Sequence, residues 1–298
     1  MRAMPLTYSI ARARREVARF ALLCMVLLGG SCGRDSSQDS DAPGPRPARI
    51  VSLSPAITEC AVELGLADRI VGRTPWCEAV APEVPVVGTL LDVDAEALVR
   101  SSPTMVLVQP PAQGIDPALE GLAARHGWTM HAWRISGLDD ARAAMAGIAD
   151  AVAEADPTLD GGVRARHAAW CAMLDAALVP LPESAELRGT SVLVTAGGLE
   201  GVAFGAGTYI DDALVRLGVR NALGRPGYPA LSAEDVVRIA PGAIIVIGGP
   251  GTASALPTIE GLSARVIRLP SDGLAVPGGR LPHGLKALRN ALVRKEAP

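Results

Sequence analysis

Two carboxylates recur in nearly the same setting. Glu96 lies in Ala95-Glu-Ala-Leu-Val-Arg-Ser-Ser-Pro103 and Glu234 in Ala233-Glu-Asp-Val-Val-Arg-Ile-Ala-Pro241, with five of nine positions identical. Each follows a helix-capping residue, Asp94 or Ser232, and an acid there is favoured by the helix dipole by about 0.3–1 kcal/mol when exposed. That explains an acid in either copy but not why both are glutamate. Other candidates for chemistry are Ser54 and Cys77 as nucleophiles and the four histidines as metal ligands.

The catalytic readings lack their partners. The chain has no G-x-S-x-G elbow, no H-E-x-x-H helix and no phosphate-cradling G-x-x-x-x-G-K-[ST]. The glycines from Gly197 to Gly207 do not have dinucleotide-fingerprint spacing. An exported hydrolase built on Ser54 or Cys77 is therefore the minor alternative, and a protein without enzymatic activity is expected. Among the histidines, His126 falls at a helix end, His131 in a strand and His167 on a long helix, which leaves only His283 a path to an interior cleft. No bare-metal site is expected, although Cys77 with His283 could meet the metal of a bound chelate. Cys60, Cys77 and Cys171 have no C-x-x-C spacing, so no disulfide framework follows. A Cys60–Cys77 bridge stays open, against buried hydrophobic roles for Cys60 and Cys171.

The elements that must position these residues alternate. Ile50–Leu53 reads as a strand, then Ser54-Pro55 as an N-cap with proline at the first helical position, opening a helix that ends at Gly65. The first repeat unit, a helix at Pro117–His126 and a strand at Thr129–Trp133 follow. The second half has a strand at Ser191–Thr195, a helix at Tyr209–Leu217 and the second repeat unit. A strand at Arg265–Leu269 and a helix from about Leu281 complete it. Strands separated by helices of this length imply parallel sheets. Between the halves, Leu138–Ala153 is helical, and a second helix restarts at Asp156-Pro157 and runs to about Leu178. Val163, Trp170, Met173, Leu174 and Ala177 form its apolar stripe. Gly161 and Gly162 weaken its first turns, moving the expected start beyond them. The expected fold is α/β: two Rossmann-like lobes with parallel sheets joined by a single long helix.

The N-terminus indicates export. Arg2, Arg12, Arg14, Arg15 and Arg19 precede the apolar run Phe20–Leu28, too short to span a membrane, and Gly29-Gly30-Ser31-Cys32 follows. Gly33–Pro47 has the composition of a tether. The expected organisation is a signal peptide over 1–31, a tether over 32–48, an N-terminal lobe over 49–137, a helical bridge over 138–182 and a C-terminal lobe over 183–298. The whole chain has formal net charge −3 with no basic patch, which argues against nucleic acid as a partner.

At this point the chain resembles a family. Arg49-Ile-Val-Ser-Leu-Ser-Pro55 with Thr58-Glu59, the repeated Glu-x6-Pro unit and the helical spine are similar to class III periplasmic binding proteins. These serve ABC importers of cobalamin, ferric siderophores and haem. Ser232-Ala-Glu234 through Gly249, and Val266–Asp272 with Arg280, are most similar to the cobalamin-binding branch. Leu28-Gly-Gly-Ser-Cys32 resembles a lipobox, which implies acylation of Cys32 and a membrane anchor in the periplasm. The resemblance implies that Glu96 and Glu234 dock onto a permease dimer and that a monomeric receptor carries its small-molecule ligand between the lobes. That ligand would be a corrinoid or a ferric chelate, with no resident cofactor. The implied ligand contacts are Ser54, Trp76, Cys77, Gln109, Phe204, Tyr228, Gly248, Gly249, Asp272 and Arg280. Trp76, Phe204 and Tyr228 fall where cobalamin binders carry stacking rings, whereas Leu90, Gln109 and Gly273 replace aromatics of that branch. A ferric siderophore or haem is the alternative ligand.

Overall fold

The computed structural model describes residues 47–197, 201–248, 263–269 and 272–293. The expected signal peptide and most of the expected tether, with Cys32, lie outside the described residues, as does Gly249. The described chain begins with β1 (Ile50–Ser52), α1 (Pro55–Glu63), β2 (Ile70–Arg73), and a hairpin of β3 (Gly88–Thr89) and β4 (Asp92–Val93). It continues through α2 (Ala95–Arg100), β5 (Met105–Val108), α3 (Pro117–His126) and β6 (Thr129–Ala132). Then come α4 (Leu138–Ala155), α5 (Asp160–Ala177), β7 (Ser191–Ala196), β8 (Val202–Ala203), α6 (Tyr209–Leu217) and β9 (Arg220–Asn221). The last elements are α7 (Ala233–Ile239), β10 (Ala243–Ile247), β11 (Arg265–Leu269) and α8 (Leu281–Val293).

Two sheets result. The first has the order β2-β1-β5-β6 with every pairing parallel. In the second, β7 pairs in parallel with β10 and β9 and antiparallel with β8, and β10 carries β11. Local sequence sets the helix ends. Ser54 Oγ accepts from Ile57 N at the start of α1, Asp116 and Thr208 cap α3 and α6, and Gly127 and Gly218 end those two helices in the left-handed conformation. α5 begins at Asp160, so Gly161 and Gly162 lie inside its first turn instead of ahead of it. The cost of about 1 kcal/mol per glycine is offset by packing of α5 on α4 and α8.

The repeat extends to the backbone. α2 leads into β5 and α7 into β10, each central in its sheet. Asp94 Oδ1 accepts from Ala97 N at 2.9 Å, and Ser232 Oγ from Asp235 N at 3.1 Å. Past each helix the chain turns on a non-glycine residue of positive φ, Ser102 and Ala240, both at +47°. These hold equivalent positions, each just before the repeat's proline.

One apolar core serves both lobes. Ile50, Met105 and Leu107 from the first sheet, and Val192, Val194 and Ile245 from the second, point into a cluster. α1, α4, α5, α6 and α8 complete it through Ile57, Met145, Trp170, Leu214 and Leu288. Alternate strand residues face outward into two smaller clusters, Val51, Val106 and Leu98 on one side and Leu193, Ile244 and Val236 on the other. α4 touches helices of both lobes, α1 and α6. Its first turn is held from the second lobe: Asp212 Oδ2 accepts from Leu138 N at 2.9 Å, and Arg216 pairs with Asp139 at 2.9 Å. Eighteen residues give it a length of about 27 Å. α5 doubles back along it, linked by Arg142–Asp175 and by Arg164–Asp150.

The left-handed conformation at Ala240 costs an alanine roughly 1–2 kcal/mol, part of which glycine returns as extra freedom of the unfolded chain. Ala240→Gly is expected to stabilise the protein by about 0.5–1 kcal/mol, read as a higher urea midpoint. A lower midpoint would contradict strain at this turn.

Candidate ligand-binding site

Parallel α/β sheets offer ligand sites at the carboxyl ends of their strands. In the first sheet that edge carries Ser54 after β1, Trp76 after β2 and Gln109 after β5. Ser54 Oγ donates to Gln109 Oε1 at 3.0 Å. Beneath it is a buried cluster of hydroxyls and a thiol. Thr58 Oγ1 lies 2.8 Å from both Ser52 Oγ and Ser54 O and 2.9 Å from Cys77 Sγ. Thr74 Oγ1 lies 3.1 Å from the same sulfur. Cys77 is 1% exposed, so it floors the site and does not present its thiol to a ligand. Drawing Cys77 inward turns its neighbour Trp76 outward, leaving that ring 64% exposed. Cys60 and Cys77 are free thiols, so the disulfide left open by the sequence is absent, and burial pushes the Cys60 thiol up. Cys171 is half-buried instead of a core residue, with its sulfur 3.3 Å from His167 Nε2.

In the second lobe the expected trio of rings divides. Tyr228 is 46% exposed, whereas Phe204 is buried and meets it edge-on at 5.7 Å. Phe204 therefore backs Tyr228 and does not itself face a ligand. Phe204 makes a second T-shaped contact, with Tyr209 at 5.6 Å. Burial raises the Tyr228 hydroxyl above its ordinary value; at Tyr209 burial is again the main cause, joined by repulsion from Tyr228 and Glu59. Gly248 closes β10, its N–H donating to Leu269 O at 3.1 Å. Asp272 begins a single 3-10 turn, Asp272–Leu274. His283 is exposed, while Cys77 lies buried on the Thr58 and Thr74 hydroxyls.

Arg280 shows what the sequence reading missed. Its Nε donates to Glu59 Oε1 at 3.1 Å and its Nη2 to the same oxygen at 2.5 Å. Glu59 is 6% exposed, on the second turn of α1, and its Oε2 is buried with no hydrogen-bond partner among the described residues. A Cβ on Gly278 would approach that oxygen to 2.5 Å, so only glycine lets this backbone lie on the carboxylate. An acid inside the apolar stretch Pro55–Glu63 was the available signal, since a buried carboxylate needs a partner. Two shallow grooves of about 430 and 410 Å³ lie elsewhere, one lined by Arg49, Thr104 and Trp128 at the amino ends of the first sheet's strands, the other beside α7.

No protein-family model and no curated protein matches this chain. Solved structures do. Periplasmic haem-binding protein BhuT, solved with two haems, is 27% identical with a TM-score of 0.64, over 83% of this chain and 98% of that one. The Vibrio cholerae haem-binding protein HutB is 18% identical at 0.63, over 83% and 99%. The Vibrio cholerae vitamin B12-binding protein BtuF is 18% identical at 0.62, over 82% and 96%. This chain has the class III periplasmic binding protein fold. All three neighbours are periplasmic binding proteins, two of haem and one of vitamin B12.

Within the class III fold, α2 and α7 carry Glu96 and Glu234 on outer faces. The two copies differ in how their acids are used. Glu96 pairs with Arg100 at 2.7 Å, one turn on, with both side chains exposed. In the second copy Asp235 replaces Ala97 and takes up that role. It accepts from Ser232 N at 3.1 Å and pairs with Arg238 at 3.4 Å, and these Ser232 bonds, with Arg225 and Arg238, hold its carboxyl below the usual range. Glu234 is exposed and has no ion pair among the described residues.

Removing one member of a buried pair leaves the other charge uncompensated, about 3–5 kcal/mol where both are buried. Arg280 is about half exposed, so Arg280→Met is expected to cost roughly 2–3 kcal/mol. The double variant Glu59→Leu with Arg280→Met should recover at least half of that. Urea denaturation of the full cycle checks it, and additive losses would rule out coupling.

Proposed function

We propose that this protein is the substrate-binding component of an ABC importer and that it captures a tetrapyrrole, cobalamin or a related corrinoid, or haem. The observation that carries the reading is the exposure of Trp76 and Tyr228 at the candidate site of a class III fold, in a chain with only nine aromatic residues. Large rings left in water are costly unless a flat apolar partner covers them. Neighbours that bind haem and vitamin B12 support the same ligand chemistry. Capture proceeds with limited closure, because α4 and the shared core resist bending.

The same reading makes the protein periplasmic and monomeric, acylated at Cys32, and assigns Glu96 and Glu234 to a permease dimer. The division of labour in the second copy supports the docking role: Asp235 serves the cap and Arg238, so helix stability does not require Glu234. Glu96→Ala with Glu234→Ala is expected to leave ligand affinity unchanged and to abolish stimulation of the importer's ATPase. Weakened ligand binding with normal stimulation would refute docking.

Titration of the mature protein with cyanocobalamin, cobinamide, haemin and ferric siderophores, followed by tryptophan fluorescence, tests the ligand class. Micromolar or tighter binding of a tetrapyrrole is expected, weakened about 2–13-fold in Trp76→Ala from the 0.5–1.5 kcal/mol of a ring contact. A response to siderophores alone would replace the tetrapyrrole, and a response to none would end the transport reading.

A further inference from the structure

The bond between Ser54 and Gln109 fixes more than a distance. Ser54 is buried, and its Oγ already accepts from Ile57 N at the start of α1. Its proton therefore needs an acceptor, and Gln109 Oε1, 3.0 Å away, supplies one. With the amide reversed, the Nε2 hydrogens would face Ser54 and its hydroxyl proton would be left buried without an acceptor, a loss of the kind that costs about 1–3 kcal/mol. The amide is thus held one way round, oxygen toward Ser54. Nε2 points away from Ser54, and among the described residues nothing accepts from it. Gln109 is half-buried at the carboxyl end of β5, on the same sheet edge as the exposed Trp76.

We infer that Gln109 is a specificity-determining residue, locked by Ser54 so that it offers N–H donors to an acceptor oxygen on the rim of the ligand. This rests on the tetrapyrrole reading for the identity of that oxygen, a carboxylate on haem or an amide carbonyl on a corrinoid. The two sources share the acceptor and differ in that an amide can also donate.

That difference supplies the test. Haemin, haemin dimethyl ester and cobinamide are titrated against the wild type, Gln109→Glu and Ser54→Ala by tryptophan quenching. Gln109→Glu keeps an acceptor for Ser54 but turns a charged acceptor toward the ligand. If haemin is bound, affinity should fall tenfold or more in this variant, and clearly less for the diester. If cobinamide is bound, the loss should stay below about threefold, since its amides can donate to the new carboxylate. Ser54→Ala frees the amide to turn and should narrow the gap between haemin and diester. Equal affinity of wild type and Gln109→Glu for haemin, where wild type binds it, would overturn the inference, as would a tenfold loss for cobinamide. Binding of no probe by wild type would count against the tetrapyrrole reading alone. The lock is then tested without ligand by NMR: side-chain amide protons of Gln109, assigned by their loss in Gln109→Met, should show no contact with the Ser54 methylene. A strong contact would mean the reversed amide and would overturn the inference whatever is bound.

Discussion

The Glu59 carboxylate is the point on which the arrangement of the two lobes turns. It is buried on the second turn of α1, the helix that Ser54 caps at the candidate site, and Arg280 meets it just before α8 begins. A carboxylate buried without a partner would cost several kcal/mol, so the segment bearing Arg280 is pinned against the first lobe. The same segment is tied twice more: Trp170 Nε1 donates to Gly279 O at 2.7 Å from α5, and Tyr209 Oη to Leu274 O at 2.6 Å from α6. Gly278 and Gly279 lie too close to Glu59 for any side chain. Helices of both lobes thus converge on one short stretch of chain, each through a polar contact.

The apolar core reinforces this. Because α1, α4, α5, α6 and α8 share one cluster with the inner faces of both sheets, separating the lobes would expose surface at about 25 cal/mol per Å². A flexible hinge has no such penalty. α4 adds a directional element, entering under a cap from Asp212 in the second lobe and packing on α1 of the first.

Much of the fold was legible in the sequence because its punctuation is local. Ser54-Pro55, Asp116-Pro117 and Thr208, with glycines at 65, 127 and 218, mark helix ends by backbone chemistry that needs no tertiary information. The start of α5 was not legible, since packing against α4 and α8 outweighs its two glycines. For the site, the sequence located the sheet edges and the rings near them, but it could not tell an exposed ring from a buried one. Phe204 and Tyr228 are both aromatic residues in loops beyond a strand; only the packing of Tyr209 and Phe204 shows which stands in front. Glu59 was visible as the Thr58-Glu59 pair, but its partner is 221 residues away, and nothing local predicts a contact of that range.

Rigidity bears directly on how Trp76 and Tyr228 can stay exposed. Two large rings on a yielding scaffold would lower their free energy by packing on each other or on the nearest apolar surface, and the site would fill itself. Here each is held from behind by something that cannot follow it: Trp76 by the inward anchoring of Cys77 on Thr58 and Thr74, Tyr228 by the edge of Phe204 braced on Tyr209. Tyr209 is in turn tied to the segment that Glu59 pins. The Glu59–Arg280 pair therefore reaches the site through packing, by denying the rings the lobe movement that would let them bury themselves. Stability invested at the lobe junction appears at the site as apolar surface kept available for a ligand.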